Sequence, residues 1–212
     1  DAKKADWGEA EAIFKVYSGG VKTNRDAWSY DFLESALSER MSEMIAAYNT
    51  QVHRLANRQS RDEGFHEIIE DDDKIIKWSP GLKRRAKSGH TIDFHEANIR
   101  AATFRPFTKK SLFALKDLIE RPGLFFRFFP TEESELENQV ISVTNHSQIP
   151  FSCLIHERIV TLEVGGRASQ CFPFYVYDED GTNRRENVTD WALERFRLHY
   201  GDASITKRDI FH

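Results

Sequence analysis

Residues 171–201 constrain the fold more than any other stretch, because they combine the patterns of a strand, a turn and a helix in immediate succession. Residues 172–177 are dominated by aromatic and β-branched side chains, which fit a pleated, buried surface and predict a core strand. Gly181 follows an acidic run and can adopt a positive φ, so the strand is expected to end in a turn. Thr189 is a good N-cap and Gly201 ends the helical pattern that follows it. A chain with this unit must combine helix and sheet.

Two adjacent arginines, Arg184 and Arg185, lie between the turn and the helix of this unit. A guanidinium carries a planar fork of donors that matches the acceptors of guanine in the major groove. Because the turn is held between a strand and a capped helix, we predict that it aims both arginines at the bases of bound DNA. The alternative is a solvated hairpin tip with no ligand.

A second pattern, in residues 31–57, predicts one long helix near the N-terminus. Apolar residues recur at intervals of three and four over more than three heptads, which makes a continuous stripe on one helix face. The stripe consists of Leu33, Leu37, Met41, Met44, Tyr48, Val52 and Leu55. We expect it to pack inside its own domain; the alternative is that it forms part of a surface between domains.

Shorter runs complete the prediction of an α+β fold with short mixed or antiparallel strands, the long N-terminal helix and C-terminal helices. Strands are predicted at residues 125–129, 140–143 and 151–154, and an acidic loop at residues 132–137. We expect one domain over residues 1–212, with a helical part in residues 1–73 and a mixed α+β part in residues 74–212.

Charge is distributed unevenly along the 212-residue chain, whose formal net charge is −4. Residues 74–130 contain 13 lysines and arginines against four carboxylates, whereas the segments on both sides are acidic. Because DNA presents a regular array of phosphates, a basic segment of this kind predicts a face that binds nucleic acid. The net negative charge taken alone argues weakly against that function.

The basic segment contains a strand-like run that is interrupted by Pro106, which marks an edge, a bulge or a strand break. Arg105, Lys109 and Lys110 surround this proline, and we predict that they contact DNA, the lysines through phosphates. Phenylalanines interleaved with these residues allow a second interpretation, in which the rings stack on single-stranded bases. In a third interpretation, the rings belong to the core and the basic groups face solvent.

A third candidate contact is the loop that follows a glycine pair near the N-terminus. Lys22, Asn24 and Arg25 lie in this loop, and asparagine and arginine side chains can both read base edges. The alternative is a structural loop in which Arg25 pairs with Asp26 or another neighbour while Trp28 fills the core.

The common catalytic motifs are absent from the sequence. There is no glycine-rich phosphate loop and no GxGxxG, HExxH, CxxC or GxSxG pattern. The Asn-Pro-Pro-aromatic signature of adenine methyltransferases is also missing. His90 and His95 with Asp93 could form a metal site, but two histidines in a loop are a weak signal, so we expect none. Residues 1–212 are therefore expected to be non-catalytic and to hold no cofactor.

Four collinear stretches of the chain resemble the C-terminal part of the type ISP restriction–modification enzymes. They are VYSGGVKTNRDAWSYDF at 16–32, IRAATFRPFTKKSLF at 99–113, ENQVISVTNHSQIPFSCLI at 137–155, and CFPFYVYDEDG, NRRENVTDWALERFR and HYGDASITKRDIFH within 171–212. The matches extend from about residue 13 to the last residue. The resemblance implies a DNA target-recognition region, and it assigns no role to individual side chains.

In that family, single ATP-dependent polypeptides join nuclease, helicase, adenine methyltransferase and target-recognition domains. The resemblance therefore implies a fragment of a larger cytoplasmic protein whose other domains use S-adenosylmethionine, ATP and Mg²⁺. The implied partners are double-stranded DNA and the methyltransferase and helicase domains of the same parent chain, with no membrane partner. The function expected is sequence-specific recognition of duplex DNA. The alternative is a coupling module that packs against the methyltransferase or helicase domain without reading bases.

Overall fold

The computed structural model describes residues 11–57, 64, 69–70, 72–146 and 148–212. Its fold is α+β, as the sequence predicts. The helices are α1 (Asp26–Ser29), α2 (Glu34–Ala56), α3 (Pro80–Lys87), α4 (Phe125–Phe128), α5 (Glu132–Glu137), α6 (Asp190–Tyr200) and α7 (Lys207–Phe211), with 3₁₀ turns at Glu96–Asn98 and Lys116–Leu118. The strands are β1 (Ser18–Gly19), β2 (Tyr30–Asp31), β3 (Ile99–Arg105), β4 (Thr108–Phe113), β5 (Val140–His146), β6 (Ile149–His156), β7 (Ile159–Val160), β8 (Gln170–Pro173), β9 (Tyr175–Val176) and β10 (Arg185–Glu186). None of the described helices is long and apolar enough to cross a membrane.

The described residues form two compact units. The first unit comprises the described part of Asp1–Val21 together with Thr103–Phe107 and Gly123–His212. The second unit comprises the described part of Lys22–Ala102 together with Thr108–Pro122. This division does not coincide with the predicted subdivision at residue 73, because α2 and the later residues that cover it belong to the same unit.

The apolar stripe of α2 lies in the core of the second unit, as predicted. The buried stripe residues are Leu37, Met41, Met44, Tyr48, Val52 and Leu55, and they pack with Ile76, Trp78, Leu82, Phe113 and Leu118. Leu33 is exposed because it is the N-cap residue and precedes the first helical turn. α3 packs on α2 and begins at a strong start signal: Ser79 accepts a hydrogen bond from Leu82 N at 3.3 Å, and Pro80 opens the first turn.

The second unit also contains a small sheet beside α2. Strands β2, β4 and β3 lie side by side in that order, and β2 runs antiparallel to β4 with Tyr30 opposite Leu112. Arg40 of α2 donates to the Asp31 carboxylate at 2.8 Å, which ties the edge strand to the long helix. The last residues of β3, Thr103–Arg105, belong to the first unit.

The first unit is built on four antiparallel strands in the order β1-β8-β5-β6. β5 and β6 form a hairpin in which Val143 lies opposite Cys153. The predicted strands at residues 140–143 and 151–154 are therefore confirmed, and both are longer than predicted. β5 also pairs with β8, where Val140 lies opposite Pro173.

The strand predicted at residues 172–177 is divided between β8 and β9. The division falls at Phe174, whose backbone bonds to two other segments of the unit. Phe174 N donates to Gln139 O at 2.8 Å, and Asn187 N donates to Phe174 O at 2.8 Å. The chain therefore leaves one sheet after β8 and enters a second, two-stranded sheet with β10.

The helices at the C-terminal end begin and end where their caps predict. Thr189 accepts a hydrogen bond from Ala192 N at 3.0 Å, and Gly201 adopts a left-handed φ of 65° that ends α6. Thr206 and Asp209 form a capping box on α7. Ala192 of α6 and Phe211 of α7 pack in one buried cluster with Phe174 and Val188.

The prediction of a strand at residues 125–129 is wrong, because this segment forms the short helix α4. Phe125, Phe128 and Phe129 are spaced by three and four, and all three are buried. That spacing puts the rings on one face of a helical turn, which outweighs the preference of phenylalanine for strands.

The prediction of a loop at residues 132–137 is also wrong, because the segment forms α5. Thr131 and Ser134 complete a capping box at its start, and glutamates occupy its first turn. Both features stabilise a helix N-terminus, where partial positive charge accumulates.

Candidate nucleic-acid interface

The turn before Arg184 and Arg185 is fixed by its own backbone and by one carboxylate. Gly181 at a φ of 85° and Asn183 at a φ of 53° reverse the chain between β9 and β10. Hydrogen bonds from the Asn183 amide and the Arg185 guanidinium lower the pKa of Asp178, so this carboxylate is ionised at neutral pH. The turn therefore presents two arginines from a defined backbone.

Each of these arginines is held by a carboxylate of the first unit. Arg184 Nη1 lies 2.6 Å from Glu137 Oε2, and its guanidinium carbon lies 4.7 Å from the centre of the Tyr175 ring. Arg185 Nη2 lies 2.6 Å from Asp178 Oδ1. Both pairs lie at the surface, where such ion pairs contribute little to stability. A DNA acceptor can therefore replace the carboxylates at small cost.

The loop that carries Lys22 and Asn24 opens the second unit. Lys22 exchanges two backbone hydrogen bonds with Arg121, of 3.0 and 2.9 Å, which hold the loop in place. Asn24 is exposed and has a φ of 57°, a left-handed conformation that asparagine tolerates. The loop therefore offers an exposed amide that could read a base edge.

Arg25, predicted to contact DNA, lies in the interior of the second unit. It is 3% exposed, its Nη2 donates to Ser79 Oγ at 2.7 Å, and Ser79 Oγ donates to Glu120 Oε2 at 2.7 Å. Burial lowers the pKa of the Arg25 guanidinium to about 10, and the Glu120 carboxylate acts in the opposite direction. This placement fits the structural-loop alternative, with Glu120 in place of Asp26 as the nearby charge.

The predicted interruption at Pro106 is a two-residue turn between β3 and β4. In the first unit, Arg105 donates to Phe104 O at 2.7 Å, and its guanidinium carbon lies 4.4 Å from the centre of the Phe104 ring. In the second unit, Lys109 is exposed, whereas Lys110 Nζ lies 4.7 Å from the centre of the Phe32 ring. The two lysines therefore differ in how far an aromatic ring restrains them.

The second unit also contains a basic cleft whose residues are not among the DNA contacts predicted from the sequence. The cleft has a volume of about 390 Å³, and its charged lining consists of Arg84, Arg85, Lys116, Asp117 and Glu120. Arg85 Nη2 lies 2.8 Å from Asp117 Oδ1. The basic residues of α3 were visible in the sequence, but no sequence pattern places Lys116 beside that helix.

The histidines considered as metal ligands have other surroundings. His90 is exposed and its carbonyl oxygen accepts a hydrogen bond from Tyr48 Oη at 2.7 Å, while His95 occupies the N-cap position of a 3₁₀ turn and its side chain makes no capping hydrogen bond. In the described part of the chain, no group of three or more histidine, cysteine, aspartate or glutamate residues could hold a metal ion.

Comparison with known proteins identifies a family. The family model described as Type ISP C-terminal specificity domain matches residues 12–212. No curated protein shows significant similarity to the chain.

Three solved structures are similar to the chain. The cryoEM structure of a DrdV–DNA complex shares 31% identity and a TM-score of 0.82, over 99% of this chain and 20% of that chain. A nuclease-deletion mutant of the Type ISP restriction-modification enzyme LlaGI, in complex with a DNA substrate mimic, shares 31% identity and a TM-score of 0.79, over 91% of this chain and 18% of that one. The ATP-dependent Type ISP restriction-modification enzyme LlaBIII, bound to DNA, shares the fold at 24% identity, with a TM-score of 0.76 over 96% of this chain and 13% of that one. The chain thus spans about a fifth of the length of the first two.

Proposed function

Because the chain belongs to the Type ISP C-terminal specificity domain family, we propose that it recognises a specific sequence in duplex DNA. Two structures similar to it at 31% identity, those of DrdV and LlaGI, contain DNA or a DNA mimic. Similarity in sequence and fold over nearly the whole chain supports the same class of ligand here.

The observation that carries this proposal is the placement of the basic segment. All 13 lysines and arginines of residues 74–130 are exposed or half-buried, and 11 of them belong to the second unit. A lysine is a point charge suited to phosphate, so we assign backbone contacts to Lys22, Lys109 and Lys110. Such contacts fix the position of the protein on the duplex and carry no sequence information.

We assign base reading to Asn24 in the second unit and to Arg184 and Arg185 in the first. The arginines follow a turn whose backbone is fixed by Gly181, Asn183 and the hydrogen bonds of Asp178. Defined orientation is what a bidentate contact to guanine requires. Arg105 remains a proposed contact, and we propose no contact for Arg25, which is buried.

The parent protein that we infer is a DNA adenine methyltransferase with ATP-dependent restriction activity, located in the cytoplasm. S-adenosylmethionine, ATP and Mg²⁺ would bind to its other domains, because this sequence has no phosphate loop or methyltransferase signature. The chain itself would contribute binding and no catalysis. Its partners would be duplex DNA and the methyltransferase and helicase domains.

A coupling module that packs against those domains is the second candidate. The α2 stripe gives it no support, because every stripe residue except Leu33 is buried within the second unit. A different feature does: on α6, Leu198 and Tyr200 are 78% and 67% exposed, and they lie with Trp191 and Phe196 along one shallow groove. Exposed apolar patches of this kind often mark protein interfaces.

A salt titration of duplex binding tests the proposal and separates it from the coupling module. We expect the logarithm of affinity to fall linearly with the logarithm of salt concentration. The reason is that lysine and arginine side chains release counterions from the DNA when they bind its phosphates. Replacing both Lys109 and Lys110 by alanine should lower that slope by about two and weaken binding to all duplexes equally. A control with Arg54 and Arg167 replaced by alanine removes the same charge elsewhere on the surface and should leave the slope unchanged. A slope near zero for the unmodified protein would favour the coupling module.

Charge-preserving variants test the base-reading assignment. Arg184→Lys and Arg185→Lys keep the charge but lose the planar fork. Each should weaken binding to the preferred duplex by roughly 1–3 kcal/mol, for an arginine that makes a bidentate contact, and leave binding to a scrambled duplex unchanged. Equal losses on both duplexes would show that these arginines do not read bases.

A further inference from the structure

Phe107 occupies an unusual position at the tip of the turn that follows β3. It is 94% exposed, which makes it the most exposed aromatic residue in the described part of the chain. A ring in water at the end of a turn loses the burial that usually stabilises it, about 25 cal/mol for each Å² of apolar surface. The fold of the described residues therefore gives this ring no role in packing.

The backbone of Phe107 is also in a conformation that its side chain disfavours. Its φ is 62°, in the left-handed region that bulky residues rarely adopt. The two other residues with positive φ outside glycine are Asn24 and Asn183, among those the structure describes, and asparagine tolerates this region. An asparagine or glycine would therefore suit the turn better, and the aromatic ring is present despite its conformational cost.

Hydrogen bonds and burial hold the base of this tip in place. Thr161 N donates to Thr103 O at 3.1 Å, and Thr161 Oγ1 donates to Phe104 O at 2.9 Å. Thr161 is itself buried, and Arg105 folds back onto the Phe104 ring and carbonyl oxygen. The chain therefore projects the Phe107 ring from a braced strand end rather than from a loose loop.

We propose that Phe107 is a wedge that inserts between stacked base pairs of bound duplex DNA. The inference rests on the proposed function, and it adds a local opening of the duplex to sequence reading. Apolar side chains inserted at a base step unstack it and kink the duplex. Basic residues flank Phe107 in the sequence: Arg105 precedes it, and Lys109 and Lys110 follow it closely. Positive charges of this kind suit the phosphate backbone of bound DNA.

The test compares a fully paired duplex with the same duplex carrying one abasic site, which is already unstacked. The unmodified protein should bind the abasic duplex about tenfold more tightly or better, because insertion no longer has to break a stack. Phe107→Asn removes the ring and suits the left-handed backbone, so the variant should fold at least as stably as the unmodified protein. Its affinities for the abasic and the fully paired duplex should agree to within about twofold. Phe107→Leu keeps an apolar wedge and should retain part of the preference. Phe151→Asn makes the same change at another exposed phenylalanine of the first unit and should retain all of it.

The outcomes separate the wedge from the function on which it rests. Salt-dependent binding to both duplexes with equal affinity would overturn the wedge and leave DNA recognition standing. A Phe107→Asn variant that keeps the full preference would also overturn it. Absence of binding to either duplex by the unmodified protein would overturn both proposals.

Discussion

At the residue scale, Arg25 is a basic side chain that burial places in the core of its unit rather than at the surface. Its Nη2 donates to Ser79, whereas its Nε and Nη1 have no hydrogen-bond partner among the described residues. A buried charge in this state depends on the opposite charge nearby, which Glu120 supplies. The residue therefore belongs to the core of the second unit rather than to its surface.

We expect Glu120→Gln to lower the free energy of unfolding by about 1–3 kcal/mol, because it leaves the Arg25 charge without compensation. Arg25→Met combined with Glu120→Gln should recover part of that loss, since the buried charge is then removed as well. Chemical denaturation of the single and double variants measures both effects. If Arg25→Met weakens DNA binding without changing stability, the assignment of Arg25 to the core is wrong.

His156 gives a second residue-scale prediction, which concerns pH. It is buried, its Nε2 lies 2.7 Å from Ser142 Oγ, and burial together with the nearby Arg158 lowers its pKa from 6.5 to about 4. Between pH 4 and 6.5 the unfolded chain therefore binds a proton that the folded chain does not. Stability should decrease as the pH falls through this range.

The variant His156→Gln isolates this effect. It removes the titrating group, so the difference in unfolding free energy between pH 7 and pH 4.5 should become smaller than in the unmodified protein. The same pH dependence in both proteins would mean that His156 is charged in the fold or that other groups account for the change.

At the element scale, the sequence predicts those elements whose signals are local and strong. The stripe of α2 and the Thr189 and Gly201 caps of α6 each lie within the helix concerned, and both helices are found. The short helices α4 and α5 were missed because aromatic and acidic composition outweighed spacing and caps in the interpretation. The burial of Arg25 was not predictable, since it depends on Ser79 and Glu120, which are distant in sequence.

The packing of α2 provides the element-scale prediction. Met44→Asp would place an unpaired charge in the core of the second unit and should cost on the order of 3 kcal/mol or more. Ala46→Asp places the same residue on the exposed face of the same helix and should cost well under 1 kcal/mol beyond its helix propensity. Thermal melting of the two variants measures the contrast. Equal melting temperatures would show that the stripe is not packed as described.

At the scale of the whole molecule, the net charge is a poor guide to function. The formal charge of −4 conceals a segment with 13 basic residues against four carboxylates. Each of the two compact units has its own buried residues and its own proposed contacts, with arginines on a braced turn in the first and lysines in the second. We propose contacts with phosphates for the lysines of the second unit, and reading of bases for Asn24 of that unit and for the two arginines of the first.

Sequence-specific recognition is the central claim, and selection from a randomised pool of duplexes measures it directly. The protein is equilibrated with the pool at about 0.15 M salt, where interactions with phosphates alone are screened, and the bound duplexes are sequenced. We expect enrichment of one consensus of several base pairs, with each substitution in it weakening binding by about 1–3 kcal/mol. A bound pool with the same composition as the input would contradict the claim.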